Sequence, residues 1–98
     1  MNKEPLIGIL ESIHKDGINL LKKFSNVKLD AGKSKKEMLK NLKHYDVVFI
    51  KSNIQINKEF IESAKNLKIV ARAGTGTDNV DLDLLEKRKK LWINSIIC

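Results

Sequence analysis

The chain has 98 residues, of which 42% are hydrophobic, and its 19 basic and 12 acidic residues give a formal net charge of +7. A chain of this length forms one domain or part of one, which excludes a complete two-domain cofactor enzyme. The frequent, periodic apolar residues also argue against a disordered chain.

The positive charge is spread evenly along the chain and comes almost entirely from lysine. The only arginines are Arg72 and Arg88. Sequence-specific reading of bases and clamping of phosphates rely on arginine, and base stacking needs more aromatic residues than three Phe, one Tyr and one Trp. We therefore expect a solvated, lysine-rich surface and no specific nucleic-acid partner.

Cysteine content and hydropathy bear on the compartment. Cys98 is the single cysteine, so an intrachain disulfide and a cysteine metal cluster are both excluded. The apolar run at residues 6–10 is too short for a signal peptide, and no apolar run reaches the ~18 residues needed to span a bilayer. His14 and His44 have no metal-ligand spacing and are expected at the surface. We expect a cytoplasmic protein with no membrane partner and no metal.

The first part of the chain is patterned as strand, helix and strand. Residues 6–10 form an apolar run between Pro5 and Glu11, which is typical of a buried strand. Ser12 predicts the N-cap of a helix, and residues 27–29 alternate as an edge strand does. The apolar positions of that first helix have helical spacing: Ile13, Gly17, Leu20, Leu21 and Phe24.

Three more helices are predicted from their capping residues. Ser34 and Glu37 have the spacing of a capping box, which places the start of the second helix there. Asn57 predicts the N-cap of the third helix and Asp81 that of the fourth. The buried side of the third helix is predicted from its apolar positions, which are Phe60, Ile61, Ala64 and Leu67.

Three further strands separate these helices. Residues 47–50, 68–73 and 91–94 are rich in β-branched and other apolar side chains. Five strands that alternate with four helices indicate right-handed βαβ units around a parallel sheet. We predict an α/β fold, a flavodoxin-like parallel sheet with flanking helices and the strand order 2-1-3-4-5.

Two predicted strand ends carry candidate binding residues, because ligands of open α/β sheets bind beyond the carboxyl ends of strands. Lys51 and Ser52 follow the third strand, and residues 72–76, Arg-Ala-Gly-Thr-Gly, end the fourth. Gly74 and Gly76 permit a sharp turn whose N–H groups can face an anion. The pattern is Gly-x-Gly-x-x-Asn, which is not a dinucleotide fingerprint. The residues alone leave open an anion site and a plain tight turn.

Residues 66–81, with the sequence NLKIVARAGTGTDNVD, closely resemble the D-isomer-specific 2-hydroxyacid dehydrogenases. The most specific part is Arg-Ala-Gly-Thr-Gly followed by Asp-Asn-Val-Asp. Residues 50–53 and Ile56 resemble the family segment in which an arginine–serine pair precedes a helix. The resemblance extends to Asn94, and it is greatest to members that oxidise a phosphorylated 2-hydroxy acid in the first step of serine biosynthesis.

The resemblance implies a place for this chain in a larger enzyme. The family's enzymes are homo-oligomers with a flavodoxin-like substrate-binding domain and a Rossmann domain that holds NAD. Residues 1–98 correspond to the N-terminal part of the substrate-binding domain, and the NAD domain is not part of the match. The sheet is therefore expected to be incomplete at its C-terminus.

The resemblance also implies substrate-binding residues at the ends of the third and fourth strands. They are Lys51, Ser52, Arg72, Gly74, Thr75 and Gly76. By resemblance, main-chain groups of the last three hold the substrate carboxylate, and the first two contact the rest of a phosphorylated substrate. Lysine at position 51 keeps the charge of the family's arginine but loses its two-pronged geometry.

The family's catalytic arginine, glutamate and histidine lie beyond the position that matches Asn94. We therefore assign no catalytic, cofactor-binding or metal-binding residue here, and His14 and His44 are not given those roles. We expect a chain truncated before the catalytic residues and inactive by itself. The alternative is a stand-alone, non-catalytic module that binds small anionic metabolites.

Overall fold

The computed structural model describes residues 5–23, 26–73 and 78–95, in which strands and helices alternate. The strands are β1 (Leu6–Ile9), β2 (Asn26–Leu29), β3 (Val47–Ile50), β4 (Ile69–Ala73) and β5 (Leu91–Ser95). The helices are α1 (Lys15–Lys22), α2 (Lys35–Asn41), α3 (Lys58–Ser63) and α4 (Leu82–Lys87), and a 3-10 turn at Leu42–His44 follows α2.

All five strands run parallel in one sheet, in the order β2-β1-β3-β4-β5. The predicted α/β class and strand order are thus confirmed. The chain moves from β1 to β2 in one direction and then crosses back to β3, β4 and β5 in the other. Because parallel crossovers are right-handed, α1 lies on one face of the sheet and α2, α3 and α4 lie on the other.

The main hydrophobic core lies between the sheet and helices α2, α3 and α4, on what we call the covered face. Val48, Ile50 and Val70 point to it from the central strands and are fully buried. The four apolar positions predicted for the third helix are all part of this core, as expected. They are Phe60, Ile61, Ala64 and Leu67.

The opposite face, which we call the open face, is buried only at its centre. Ile7 and Ile9 of β1 are buried there, on the side of α1. The register aligns Leu29 with Ile9 in β2 and aligns Ile93 with Ala71 in β5. Leu29 is 54% exposed and Ile93 is 49% exposed. Apolar side chains therefore continue across both faces, but only one face is fully packed.

Three of the four predicted helix caps are confirmed. The side chains of Ser34, Asn57 and Asp81 accept hydrogen bonds from the main-chain N–H groups three residues later. The Ser12 prediction is wrong, because α1 begins later and its N-cap is His14, whose Nδ1 accepts from the Asp16 N–H. These caps satisfy N–H groups that have no partner within their own helix.

The apolar face predicted for the first helix is only partly correct. None of the residues of α1 is buried, and Leu20 is 56% exposed. Phe24, which completes the predicted face, lies outside the described residues. The helical spacing predicted the helix, but burial of its face depends on what packs against it.

Candidate functional site

A cavity of about 620 Å³ opens at the carboxyl ends of β1, β2 and β3. It is lined by the segments that follow these strands and by residues of α2 and α3, which is where ligands bind in sheets of this topology. Three lysines and three carboxylates contribute the charges of the lining. They are Lys33, Lys35, Lys51, Glu11, Asp30 and Glu59.

The three lysines differ in how far their charges are already offset. Lys35 Nζ lies 3.0 Å from a carboxylate oxygen of Glu59, and Lys33 Nζ lies 3.9 Å from Glu37. Lys51 has no ion-pair partner among the residues that the structure describes. An anion that enters the cavity therefore meets Lys51 as the cation with the least compensation.

The segment that carries Lys51 is held by a carboxylate from the neighbouring strand. Glu11, directly after β1, is only 9% exposed. Its two oxygens accept hydrogen bonds from the N–H groups of Lys51 at 2.6 Å, Asn53 at 3.1 Å and Ile54 at 3.3 Å. Converging main-chain N–H groups form a concavity suited to an anion, and here that anion is the protein's own Glu11 carboxylate.

The side-chain amide of Asn79 holds the same segment through the segment's main-chain carbonyl groups. The buried Asn79 Nδ2 donates to the main-chain oxygens of Lys51 at 2.9 Å and Ile54 at 2.7 Å. Its Oδ1 accepts from Nε of Arg72 at 3.0 Å. Residues 51–54 are therefore fixed through both their N–H and their C=O groups, although they belong to no helix or strand.

Arg72 projects from the end of β4 and is 8% exposed. Its Nε is used by Asn79, while its Nη1 is buried and has no hydrogen-bond partner among the described residues. Within the part of the chain that the structure describes, this guanidinium therefore has donor capacity that its hydrogen bond to Asn79 does not use.

Asp30, which lines the cavity after β2, belongs to a second polar cluster. Asp30 is buried, and its Oδ2 accepts from the Tyr45 hydroxyl at 2.8 Å and from Asn41 Nδ2 at 3.3 Å. Burial, and then the hydrogen bond to Asp30, raise the pKa of Tyr45 well above its ordinary value. The Tyr45 ring packs on β1 at Gly8, where an added Cβ would lie only 2.7 Å from the ring. A glycine is needed there to admit the tyrosine.

The structure brings together part of the predicted site. Lys51 lines the cavity, and the exposed Ser52 follows it in the held segment without lining the cavity. Arg72 reaches the same segment through Asn79. The remaining predicted positions, together with Cys98, lie outside the described residues. These positions are Gly74, Thr75 and Gly76.

Sequence reasoning missed Glu11 and Asn79 as parts of the site. Glu11 is the first residue after a buried strand, so its position at a carboxyl edge was a usable signal. Asn79 stood in the sequence as the residue that breaks the glycine fingerprint. Its amide contacts with residues 51 and 54 depend on the neighbouring strands and could not be derived from that pattern.

The described ranges contain no group of three metal-ligating side chains placed to hold an ion, and His14 and His44 are both exposed. Within the same ranges, no helix is both long enough and apolar enough to cross a membrane.

Comparison with known proteins finds relatives among dehydrogenases. The chain is 30% identical over 87 residues to the D-3-phosphoglycerate dehydrogenase of Methanocaldococcus jannaschii, covering 89% of this chain and 17% of that protein. It is 36% identical over 93 residues to the chloroplastic D-3-phosphoglycerate dehydrogenase 3 of Arabidopsis thaliana, covering 94% of this chain and 16% of that protein. The chain thus spans less than a fifth of the length of either relative.

Solved structures share the fold. The PH0520 protein from Pyrococcus horikoshii superposes with a TM-score of 0.87 at 25% identity, covering 94% of this chain and 28% of that chain. The NAD+-bound 3-phosphoglycerate dehydrogenase of Entamoeba histolytica superposes with a TM-score of 0.80 at 24% identity, covering 94% of this chain and 33% of that chain. The second likeness supports the fold alone.

A family-level match covers nearly the whole chain. Residues 7–96 match the family described as "D-isomer specific 2-hydroxyacid dehydrogenase, catalytic domain". The matched range includes β2 to β5, β1 from Ile7 onward, and the strand ends that line the cavity and carry the held segment. The chain belongs to the D-isomer specific 2-hydroxyacid dehydrogenase family.

Proposed function

We propose that this chain forms the N-terminal part of the substrate-binding domain of an NAD-dependent 2-hydroxyacid dehydrogenase. Its substrate in this proposal is 3-phosphoglycerate, which is oxidised to 3-phosphohydroxypyruvate at the start of serine biosynthesis. The observation that carries the proposal is Lys51, a cation without an ion pair among the described residues, at the carboxyl edge of the matched fold. The names of the relatives from M. jannaschii and A. thaliana support the choice of acid.

The charges of the site suit an acid with two anionic ends. In the proposal, the Lys51 ammonium and the Ser52 hydroxyl bind one end of the substrate. The main-chain groups of residues 74–76 bind its carboxylate, as the family resemblance implies. Each hydrogen bond to a charged group contributes about 1.5–3 kcal/mol. The contribution of this chain to the reaction is to bind and orient the acid.

The described residues do not fit NAD. The third glycine of a dinucleotide fingerprint would stand at position 79, where the buried side chain of Asn79 instead holds residues 51 and 54. We therefore assign the NAD-binding role to no residue of this chain. In the proposal, NAD binds to another part of a longer protein.

The proposal is tested by titrating the purified chain with 3-phosphoglycerate and following binding by calorimetry. We expect saturable binding that Lys51→Gln weakens roughly ten-fold or more, because a charge-assisted contact is lost. Lys65→Gln is the matched control, because it removes an exposed lysine that does not line the cavity.

Two results would overturn the proposal. One is the absence of saturable binding by the unaltered chain. The other is equal loss of affinity in both variants, which would indicate attraction to net charge rather than a site at Lys51.

We also expect no NADH to form when the chain is mixed with NAD and the acid, as measured by NADH absorbance.

A further inference from the structure

The main chain of the segment that carries Lys51 is hydrogen-bonded to two residues from outside the segment. Lys51 and Ser52 are exposed, and residues 51–54 have no regular secondary structure of their own. Their main chain is nevertheless held at both its donors and its acceptors, by Glu11 and Asn79. Such a segment is shaped by its partners.

We infer that Glu11 is a positioning residue, whose carboxylate holds residues 51–54 in the conformation that presents Lys51 and Ser52 to the anionic substrate. The inference rests on the proposed function for the identity of the ligand. The claim that Glu11 holds the segment rests on three hydrogen bonds, which link positions about 40 residues apart in the sequence.

The two oxygens of Glu11 are both used. Oε2 accepts from the N–H groups of Lys51 and Ile54, and Oε1 accepts from that of Asn53. A glutamine side chain keeps the shape but turns one acceptor into an N–H₂ donor. That donor would face a main-chain N–H group, so at least one of the three contacts must be lost. Glu11→Gln is therefore a nearly isosteric way to release the segment.

Neutralising the charge of Glu11 distinguishes a positioning role from a purely electrostatic one. If Glu11 acted only as a negative charge near the site, its neutralisation would strengthen the binding of an anion. If it positions the segment, its neutralisation must weaken binding, because part of the binding energy is then spent on ordering residues 51–54. The two roles predict opposite changes in affinity.

Glu59 provides the matched control. It lines the same cavity, but its carboxylate contacts the Lys35 ammonium at 3.0 Å and caps no main-chain N–H group in the described structure. Glu59→Gln removes the same charge and frees a lysine. We expect it to leave the affinity for 3-phosphoglycerate unchanged or up to about three-fold tighter.

The binding test compares four variants with the unaltered chain by calorimetry, and two of them are Glu11→Gln and its control Glu59→Gln. We expect Glu11→Gln to weaken 3-phosphoglycerate binding about five- to ten-fold, and Glu11→Asp, which keeps a shorter carboxylate, to fall between it and the unaltered chain. Ile61→Val controls for stability, since it loosens the core and removes none of the hydrogen bonds that hold residues 51–54. Unchanged or tighter binding by Glu11→Gln overturns the inference.

A second measurement needs no ligand. In ¹H–¹⁵N spectra, the amides of residues 51, 53 and 54 should shift upfield and exchange faster in Glu11→Gln, and they should stay in place in Glu59→Gln and Ile61→Val. If the unaltered chain binds no acid, the proposed function fails, and these amides still decide whether Glu11 orders the segment. Amides at unaltered positions in Glu11→Gln would overturn the inference directly.

Discussion

The two faces of the sheet have similar apolar side chains but very different packing. Ile50 of β3 lies on the covered face and is fully buried, whereas Ile93 of β5 lies on the open face and is 49% exposed. Leu91, also on the open face, is 63% exposed. Strands of parallel sheets are apolar on both sides because both are normally covered. Strand composition therefore predicts that both faces of the sheet need to be packed against other elements. The positions of the helices decide which face is packed.

Two isoleucines, one on each face of the sheet, test this difference in packing most directly. Ile50→Ala should lower the free energy of unfolding by about 2–5 kcal/mol, because it leaves a cavity in the packed core. Ile93→Ala should cost less than about 1 kcal/mol, because much of that side chain is already in water. Urea unfolding of both variants measures the difference. Equal losses would show that the open face is covered in solution.

Tyr45, on the covered face, gives the next largest effect. Tyr45→Phe should destabilise the chain by about 1–3 kcal/mol, because the buried Asp30 loses the hydroxyl that it accepts from. The change preserves the ring that packs on Gly8, so it isolates the hydrogen bond.

The same residue predicts a dependence on alkaline pH. The folded-state pKa of Tyr45 is raised above the ordinary value of 10.0. As the pH rises, the unfolded chain therefore loses the Tyr45 proton before the folded chain does. The contribution of Tyr45 to the free energy of unfolding is complete below about pH 10. Above that pH it falls by up to about 1.4 kcal/mol per pH unit. Urea unfolding at about pH 9 and pH 11 checks this. A steeper loss in the unaltered chain than in Tyr45→Phe is expected, and parallel losses would contradict it.

Helix caps on the two sides of the sheet give the smallest effect. Asn57 caps α3 on the covered face, and Asn57→Ala should cost about 1 kcal/mol. His14 caps α1, which has no buried residue, and His14→Ala should cost less than about 0.5 kcal/mol because fraying of that helix exposes little. Thermal unfolding of the pair measures both. A larger cost at His14 would mean that α1 contributes more to the core than its exposure indicates.

The sequence predicted most of the fold because the relevant signals are local. The Ser34, Asn57 and Asp81 caps each bond within three residues. Strands alternating with helices indicated a parallel sheet with right-handed crossovers, and the strand order was predicted as that of a flavodoxin-like fold. The Ser12 cap failed because the chain after β1 first places Glu11 against residues 51–54, and α1 begins only at Lys15.

The candidate site was predictable only in part. Lys51 could be placed at a carboxyl edge, because it follows an apolar strand run. The roles of Glu11 and Asn79 could not be predicted, since each depends on which strand ends are neighbours. The same holds for Arg72 and Asn79, which are seven residues apart in the sequence and whose side-chain hydrogen bond could not be derived from that spacing.

The elements, their alternation and the α/β class could be predicted from the sequence alone, and the sequence also indicated the two strand ends that carry the candidate binding residues. These features follow from periodicity, capping and chirality, which act over a few residues or apply to every parallel crossover. How completely each sheet face is packed, and which residues hold the segment of Lys51, became apparent only in the tertiary structure. Those outcomes arise from contacts between positions tens of residues apart, which exist only once β1, β3 and β4 lie side by side.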